Sequence, residues 1–220
     1  MGLGSHCVAS VNSGFSPLTL SPYFWYDLSD AATVTTSGGL ITQVNDKSGN
    51  ARHLIGSGGS RPTYTAAGLN GLNVATFGSG HQLSVTPGTI TTQPYMTFAV
   101  AQFDNSVTTQ CNLFGIGTYV YTLTGTWRFY AGSEINSAVT DDALPHVFCT
   151  KAAGASSYLR LDGNQIAAGN AGITNFGQII LGSAASSWRG IICEVLCCPD
   201  PGTGPRDTYI AALKAKWATT

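Results

Sequence analysis

The sequence predicts an all-β protein, a single antiparallel sandwich with one short helix at its C-terminus. Short runs in which apolar and polar residues alternate recur from Tyr23 to Cys198, the pattern left by strands with one buried and one wet face. Clusters of Gly, Asn, Ser and Pro separate these runs and supply turn conformations. Only the stretch after Pro205 adopts a helical period. At 220 residues the chain can bury one substantial core, and sandwiches of this length are commonly one domain.

The clearer strands are predicted at residues 73–77, 96–103, 118–123, 127–131, 146–151, 157–161, 176–181 and 191–198. Between Leu161 and Gln165, the run Asp162-Gly163-Asn164 is a tight hairpin signal, because Gly and Asn tolerate the positive φ of such turns. Pro205 can open the helix, where its missing N–H costs nothing. Ile210, Leu213 and Trp217 then share one face, and Lys214 and Lys216 favour the negative C-terminal end. Residues 1–22, rich in Ser, Gly and Asn, read as an arm, and residues 23–220 as the domain.

Charged residues make up 10% of the chain, against roughly 25% in an ordinary globular protein. Ten basic and eleven acidic residues leave a net charge of −1, and no basic tract could track a phosphate backbone. Nucleic acid is therefore not an expected partner. The start has neither the basic nor the continuous apolar region of a secretory signal, and no apolar run reaches the roughly 18 residues that cross a bilayer. No membrane association is expected.

Three of the six cysteines fall in Gly190-Ile-Ile-Cys-Glu-Val-Leu-Cys-Cys198. In a regular strand Cys193, Val195 and Cys197 share one face, and Ile192, Glu194, Leu196 and Cys198 the other, so three thiolates cannot converge on one ion. Cys149 and at least one of Cys193 and Cys197 read as small apolar core residues. Cys198, ending its strand before Pro199, is expected to be accessible, and Cys7 lies in the arm. A disulfide between these two, or between neighbouring chains, stays open.

Four sets of residues carry a family resemblance. These are Trp25-Tyr26-Asp27-Leu28-Ser29-Asp30 with Gln43 to Asn50, Arg61-Pro62-Thr63-Tyr64 with Gly68 to Leu72, Leu159 to Gly163, and Trp188 to Leu196 followed by the segment Tyr209 to Trp217. Their order and spacing resemble the concanavalin A-like, laminin-G-like jelly rolls of tailed-phage virion proteins and bacterial surface proteins. The resemblance implies a jelly-roll sandwich and a structural virion protein, displayed on a capsid or tail. It would attach to other virion proteins, or to copies of itself, through the N-terminal arm. The alternative is a lectin-like adhesion module for host surface glycans, with Tyr119, Tyr121 and Trp127 as candidate stacking residues. Core packing is the commoner fate of such rings.

Related jelly rolls that cleave glycosides place carboxylates on one strand as Glu-x-Asp-x-Glu; this chain has no such triplet, and Glu134 and Glu194 are its only glutamates. There is no Gly-x-Ser-x-Gly elbow, and His6, His53, His81 and His146 show neither a catalytic nor a zinc-ligand spacing. The expectation is a chain that is not an enzyme and takes no metal or cofactor. Asp46-Lys47-Ser48-Gly49-Asn50 reads as a turn in which Asp46 and Asn50 bond backbone groups, in preference to a calcium loop.

Overall fold

A computed structural model describes residues 15–86, 92–106, 109–116, 118–183 and 186–219. The chain enters strand β1 (Phe24–Asp27), then β2 (Val34–Ser37), β3 (Leu40–Val44), β4 (Leu54–Ile55), β5 (Thr63–Leu69), β6 (Leu72–Phe77) and β7 (Gln82–Val85). The middle holds β8 (Tyr95–Phe103), β9 (Cys111–Asn112), β10 (Phe114–Ile116), β11 (Tyr119–Leu123), β12 (Thr126–Tyr130) and β13 (Glu134–Thr140). Then follow β14 (Pro145–Ala152), β15 (Ser157–Leu161), β16 (Asn164–Gly169), β17 (Gln178–Gly182), β18 (Gly190–Pro199) and helix α1 (Thr203–Trp217).

These strands form the predicted two-sheet antiparallel sandwich. The large sheet runs β10-β17-β7-β4-β3-β5-β6-β18-β8-β14-β15-β16, with β1 beside β18 and β2 beside β3. The small sheet runs β13-β12-β11-β9. Apolar alternate residues of both sheets face each other, so that Phe24, Tyr26, Phe103, Phe114, Trp127, Phe148 and Trp188 fill the space between them. On its other side the large sheet carries α1, and Met96, Phe98, Cys149, Leu196, Tyr209, Leu213 and Trp217 form a second apolar layer there. The helix begins at Thr203, so Pro205 lies inside the first turn instead of opening it. Its missing N–H is still one that an α-helix leaves unpaired.

One segment passes from sheet to sheet. Cys111 and Asn112 pair with β11 in the small sheet, while Phe114 pairs with Leu181 of β17 in the large one. The corner requires Gly115, which has φ +90°, and a Cβ there would sit 1.8 Å from the Thr118 carbonyl oxygen.

The cysteine-rich strand is not regular. Ile192 pairs with Ala101 of β8 and Glu194 with Val100, so Cys193 and Glu194 together oppose one register step, forming a β-bulge. The bulge reverses the facing expected for Cys193. Ile192, Val195 and Cys197 face the small sheet, and Cys193, Leu196 and Cys198 face the helix. The expected access to Cys198 is corrected as well: pairing continues to Pro199, and the thiol is fully buried under α1. Cys111, Cys149, Cys193, Cys197 and Cys198 are all free and buried; Cys7, the other member of the suggested disulfide, lies outside the described residues.

Residues assigned to the arm are part of the packed body from Phe15 onward. A 3-10 turn, Pro17–Leu20, places Leu20 in the helix-side layer, and the Phe15 ring stacks on Tyr209 at 5.6 Å.

The first and last of the segments that carry the family resemblance meet at one place. Glu194, 3% exposed, accepts from Trp25 Nε1 (2.9 Å), Tyr209 Oη (3.0 Å), Lys216 Nζ (2.7 Å) and Trp217 Nε1 (3.1 Å). Asp27, its register partner on β1, accepts from the same Lys216 Nζ at 2.7 Å. Lys47 in turn donates to Asp30 at 2.7 Å and to Asp27 at 3.4 Å. Four donors replace the water that burial takes from this carboxylate. These motif residues thus join the helix, two strands and the Asp46 loop.

Candidate functional site, a tyrosine platform on the small sheet

The β11–β12 hairpin turns on Thr124 (φ +53°) and Gly125 (φ +81°), the two positive φ values that a two-residue hairpin of matching twist demands. This turn fixes the register. Tyr121 faces Arg128 and Tyr119 faces Tyr130, while Thr122 faces Trp127 and Val120 faces Phe129. Val120, Trp127, Phe129 and Ile135 belong to the core, so the alternate residues Tyr119, Tyr121, Arg128, Tyr130, Glu134 and Asn136 turn outward. Strand β9 adds Asn112 opposite Tyr121.

On this outer face the Tyr119 and Tyr130 rings stack at 4.9 Å with planes 12° apart, and Tyr121 meets Tyr119 edge-on at 5.3 Å. Arg128 Nη1 donates to Glu134 Oε1 at 2.8 Å, and Nη2 to Thr124 Oγ1 at 3.2 Å. Asn112 Oδ1 accepts from Gln110 Nε2 at 2.9 Å. Partial burial raises the Tyr119 phenol above its ordinary value, and Tyr130 and Glu134 push the same way. At neutral pH the phenol keeps its proton and can donate as well as accept. The arrangement offers a partly exposed aromatic plane, amide and phenol groups on the same face, and one compensated ion pair.

Of the three candidate stacking residues, the structure keeps one open ring. Trp127 is corrected: it is fully buried, with its ring 4.8 Å from Phe148 and 6.3 Å from Phe103 and Trp188, because its position opposite Thr122 points inward. Tyr121 turns outward yet is only 4% exposed. Tyr119 is partly exposed, and its partner Tyr130 was missed by sequence reasoning although counting back across Thr124-Gly125 locates it.

Two other polar clusters are structural. Asp46 Oδ1 accepts from the amides of Trp25 and Ser48, and Oδ2 from Ser48 Oγ and the Arg52 amide, while Asn50 Nδ2 donates to the Pro22 and Tyr23 carbonyls. The loop is the Asx turn that its composition predicts, and it forms one wall of an open cleft of about 630 Å³ beside Leu18, Pro22 and Arg52. The other cluster is His146, whose Nδ1 lies 2.6 Å from Asp162 Oδ2 and Nε2 2.8 Å from Asp142 Oδ1.

No protein-family model matches the chain, and no curated protein matches it in sequence. Solved structures match it in fold. Domain 4 of AbnA, a GH43 extracellular arabinanase from Geobacillus stearothermophilus solved in complex with arabinotriose, is 12% identical with a TM-score of 0.62, over 86% of this chain and 98% of that one. Trypanosoma rangeli sialidase in complex with sialic acid is 11% identical with a TM-score of 0.59, over 90% of this chain and 33% of that one. A GH54 α-l-arabinofuranosidase is 16% identical with a TM-score of 0.55, over 88% of this chain and 58% of that one. The chain thus spans nearly all of the arabinanase domain, a third of the sialidase and less than two thirds of the arabinofuranosidase.

The fold is therefore a β-sandwich of the class that glycoside-hydrolase and sialidase proteins contain. This corrects the expectation of a chain that is not an enzyme, since all three of these solved structures come from such enzymes. The missing Glu-x-Asp-x-Glu strand excludes one arrangement of carboxylates and not membership of an enzyme.

Proposed function

We propose that the chain is a carbohydrate-binding sandwich domain whose sugar lies on the tyrosine platform of the small sheet. The observation that carries this reading is the Tyr119–Tyr130 stack, partly exposed and accompanied on the same face by amide, phenol and guanidinium groups. Aromatic faces cover the C–H faces of sugars at little entropic cost, and polar groups of this kind pair with hydroxyls. The likeness to a domain solved with arabinotriose supports the same reading. Affinity electrophoresis through gels containing arabinan, xylan, glucan or sialylated glycoprotein tests it. Retardation by at least one glycan, abolished in Tyr119→Ala and Tyr130→Ala, is expected; unretarded wild-type protein on all of them overturns the reading.

The concanavalin A-like, laminin-G-like identity is the finer reading of the fold. It is supported by the way its motif residues Trp25, Asp27, Glu194, Tyr209 and Trp217 interlock. Display on a phage capsid or tail, anchored by the arm, is the setting implied by the resemblance. Removing residues 1–14, which leaves Phe15 and Leu20 in place, should then abolish incorporation into particles. Normal incorporation of that truncated chain would refute the anchor.

A further inference from the structure

We infer that the tyrosine platform is selective for neutral oligosaccharides, and that Glu134 is its specificity-determining residue. The inference rests on the carbohydrate-binding reading and adds the class of sugar. Arg128 and Glu134 are the only charged residues on the four strands of the small sheet. Their side chains meet at 2.8 Å across the β12–β13 pairing, next to the Tyr119–Tyr130 stack, because Glu134 is the register partner of Tyr130. A free guanidinium at a sugar site is a receptor for the carboxylate of a sialic or uronic acid, which it grips with two parallel N–H groups. Here Nη1 donates to Glu134 and Nη2 to Thr124, Nε is buried without a hydrogen-bond partner, and the side chain is 17% exposed, which leaves a ligand only the second N–H of each terminal nitrogen. An acidic sugar that reached the remaining N–H groups would lie beside the Glu134 carboxylate, with like charges in contact. Neutral hydroxyls meet no such barrier: Tyr119, Tyr130, Asn112 and Asn136 offer uncharged donors and acceptors on the same face.

Titration calorimetry with two ligand sets tests this. One set is neutral (arabinotriose, xylotriose, cellotriose) and the other acidic (3′-sialyllactose, trigalacturonate). Wild-type protein is expected to bind a neutral member at least about tenfold more tightly than either acidic one, about 1.4 kcal/mol. Glu134→Gln, which frees Arg128, should strengthen binding of the acidic set. Glu134→Gln/Arg128→Gln should lose that gain, which shows that the freed guanidinium caused it. Tyr119-dependent binding that prefers the acidic set overturns the selectivity while leaving the carbohydrate reading standing. An unchanged acidic affinity in Glu134→Gln overturns the role of Glu134. Wild-type protein that binds neither set overturns the carbohydrate reading and this inference with it.

Discussion

Lys216 donates to Glu194 Oε2 at 2.7 Å, tying the last turn of α1 to the central strand of the large sheet. Glu194 also holds Trp25, Tyr209 and Trp217, so removing it leaves two buried donors, a part-buried indole and a part-buried ammonium without this acceptor. Glu194→Ala should lose about 3–5 kcal/mol of stability, measured by urea unfolding. A loss below about 1 kcal/mol would show that water replaces the carboxylate.

The same cluster sets a response to pH. Burial pushes the Asp27 carboxyl up, but the charge and hydrogen bond of Lys216 outweigh it and hold the group below the ordinary carboxylate range. Its contribution is therefore present above the unfolded value of about 3.9 and is lost as pH falls through the lower folded value. Melting temperatures between pH 6 and pH 2 should drop less steeply in Asp27→Asn, from a lower starting point, than in the wild type.

His146 gives the opposite sign. Burial lowers its pKa, yet hydrogen bonds and charges from Asp162 and Asp142 prevail and raise it. With a carboxylate at each ring nitrogen, the imidazole satisfies both only as a cation. The stabilisation is complete below the unfolded value of about 6.5 and disappears as pH rises through the higher folded value. A proton NMR titration should place its midpoint above 6.5, and Asp142→Asn should move it down. A midpoint at or below that of a free histidine would refute the clamp.

Thiol chemistry should separate one cysteine from five. Burial raises the Cys198 thiol to about 12 and the Cys111 thiol to about 11, and lifts Cys149, Cys193 and Cys197 further still, so none offers a thiolate near neutrality. Iodoacetamide on the native protein should leave these five unmodified, read by peptide mass spectrometry. Any cross-link between chains would then depend on Cys7, and non-reducing electrophoresis of Cys7→Ser checks it. Alkylation of native Cys198 would show that α1 lifts from the sheet.

Much of this fold could be read from alternation and from apolar runs. Strand β15 alternates buried and part-exposed residues, whereas β8, β14 and β18 are buried on both faces and read as near-continuous apolar runs. Strand β13 was not foreseen, because Glu134-Ile-Asn-Ser-Ala-Val-Thr140 buries only Ile135 and Ser137 and so carries a weak pattern. The bulge at Cys193 has no composition signal at all; it arises from how β18 meets β8, a contact distant in sequence. At the platform, the two-residue spacing of Tyr119 and Tyr121 reveals a shared face. The facing of Trp127 depends on hairpin register, so an aromatic residue near them in sequence falls on the opposite side of the sheet. The Asp46 turn was legible because Asx chemistry is local.

Strand β18 lies between β6 and β8, with β1 alongside, yet a ribosome delivers it long after all three of these neighbours. From the end of β8 at Phe103 to the start of β18 at Gly190, synthesis at about 5–20 residues per second takes on the order of ten seconds. Throughout that interval the nascent chain carries two facing strand edges with no partner between them, a hazard for pairing with other chains. The central pairing of the large sheet therefore forms only once Gly190 to Pro199 have been made. A stop codon between Phe103 and Gly190 would leave not a smaller domain but strand edges flanking an open slot, a substrate for chaperones and proteases.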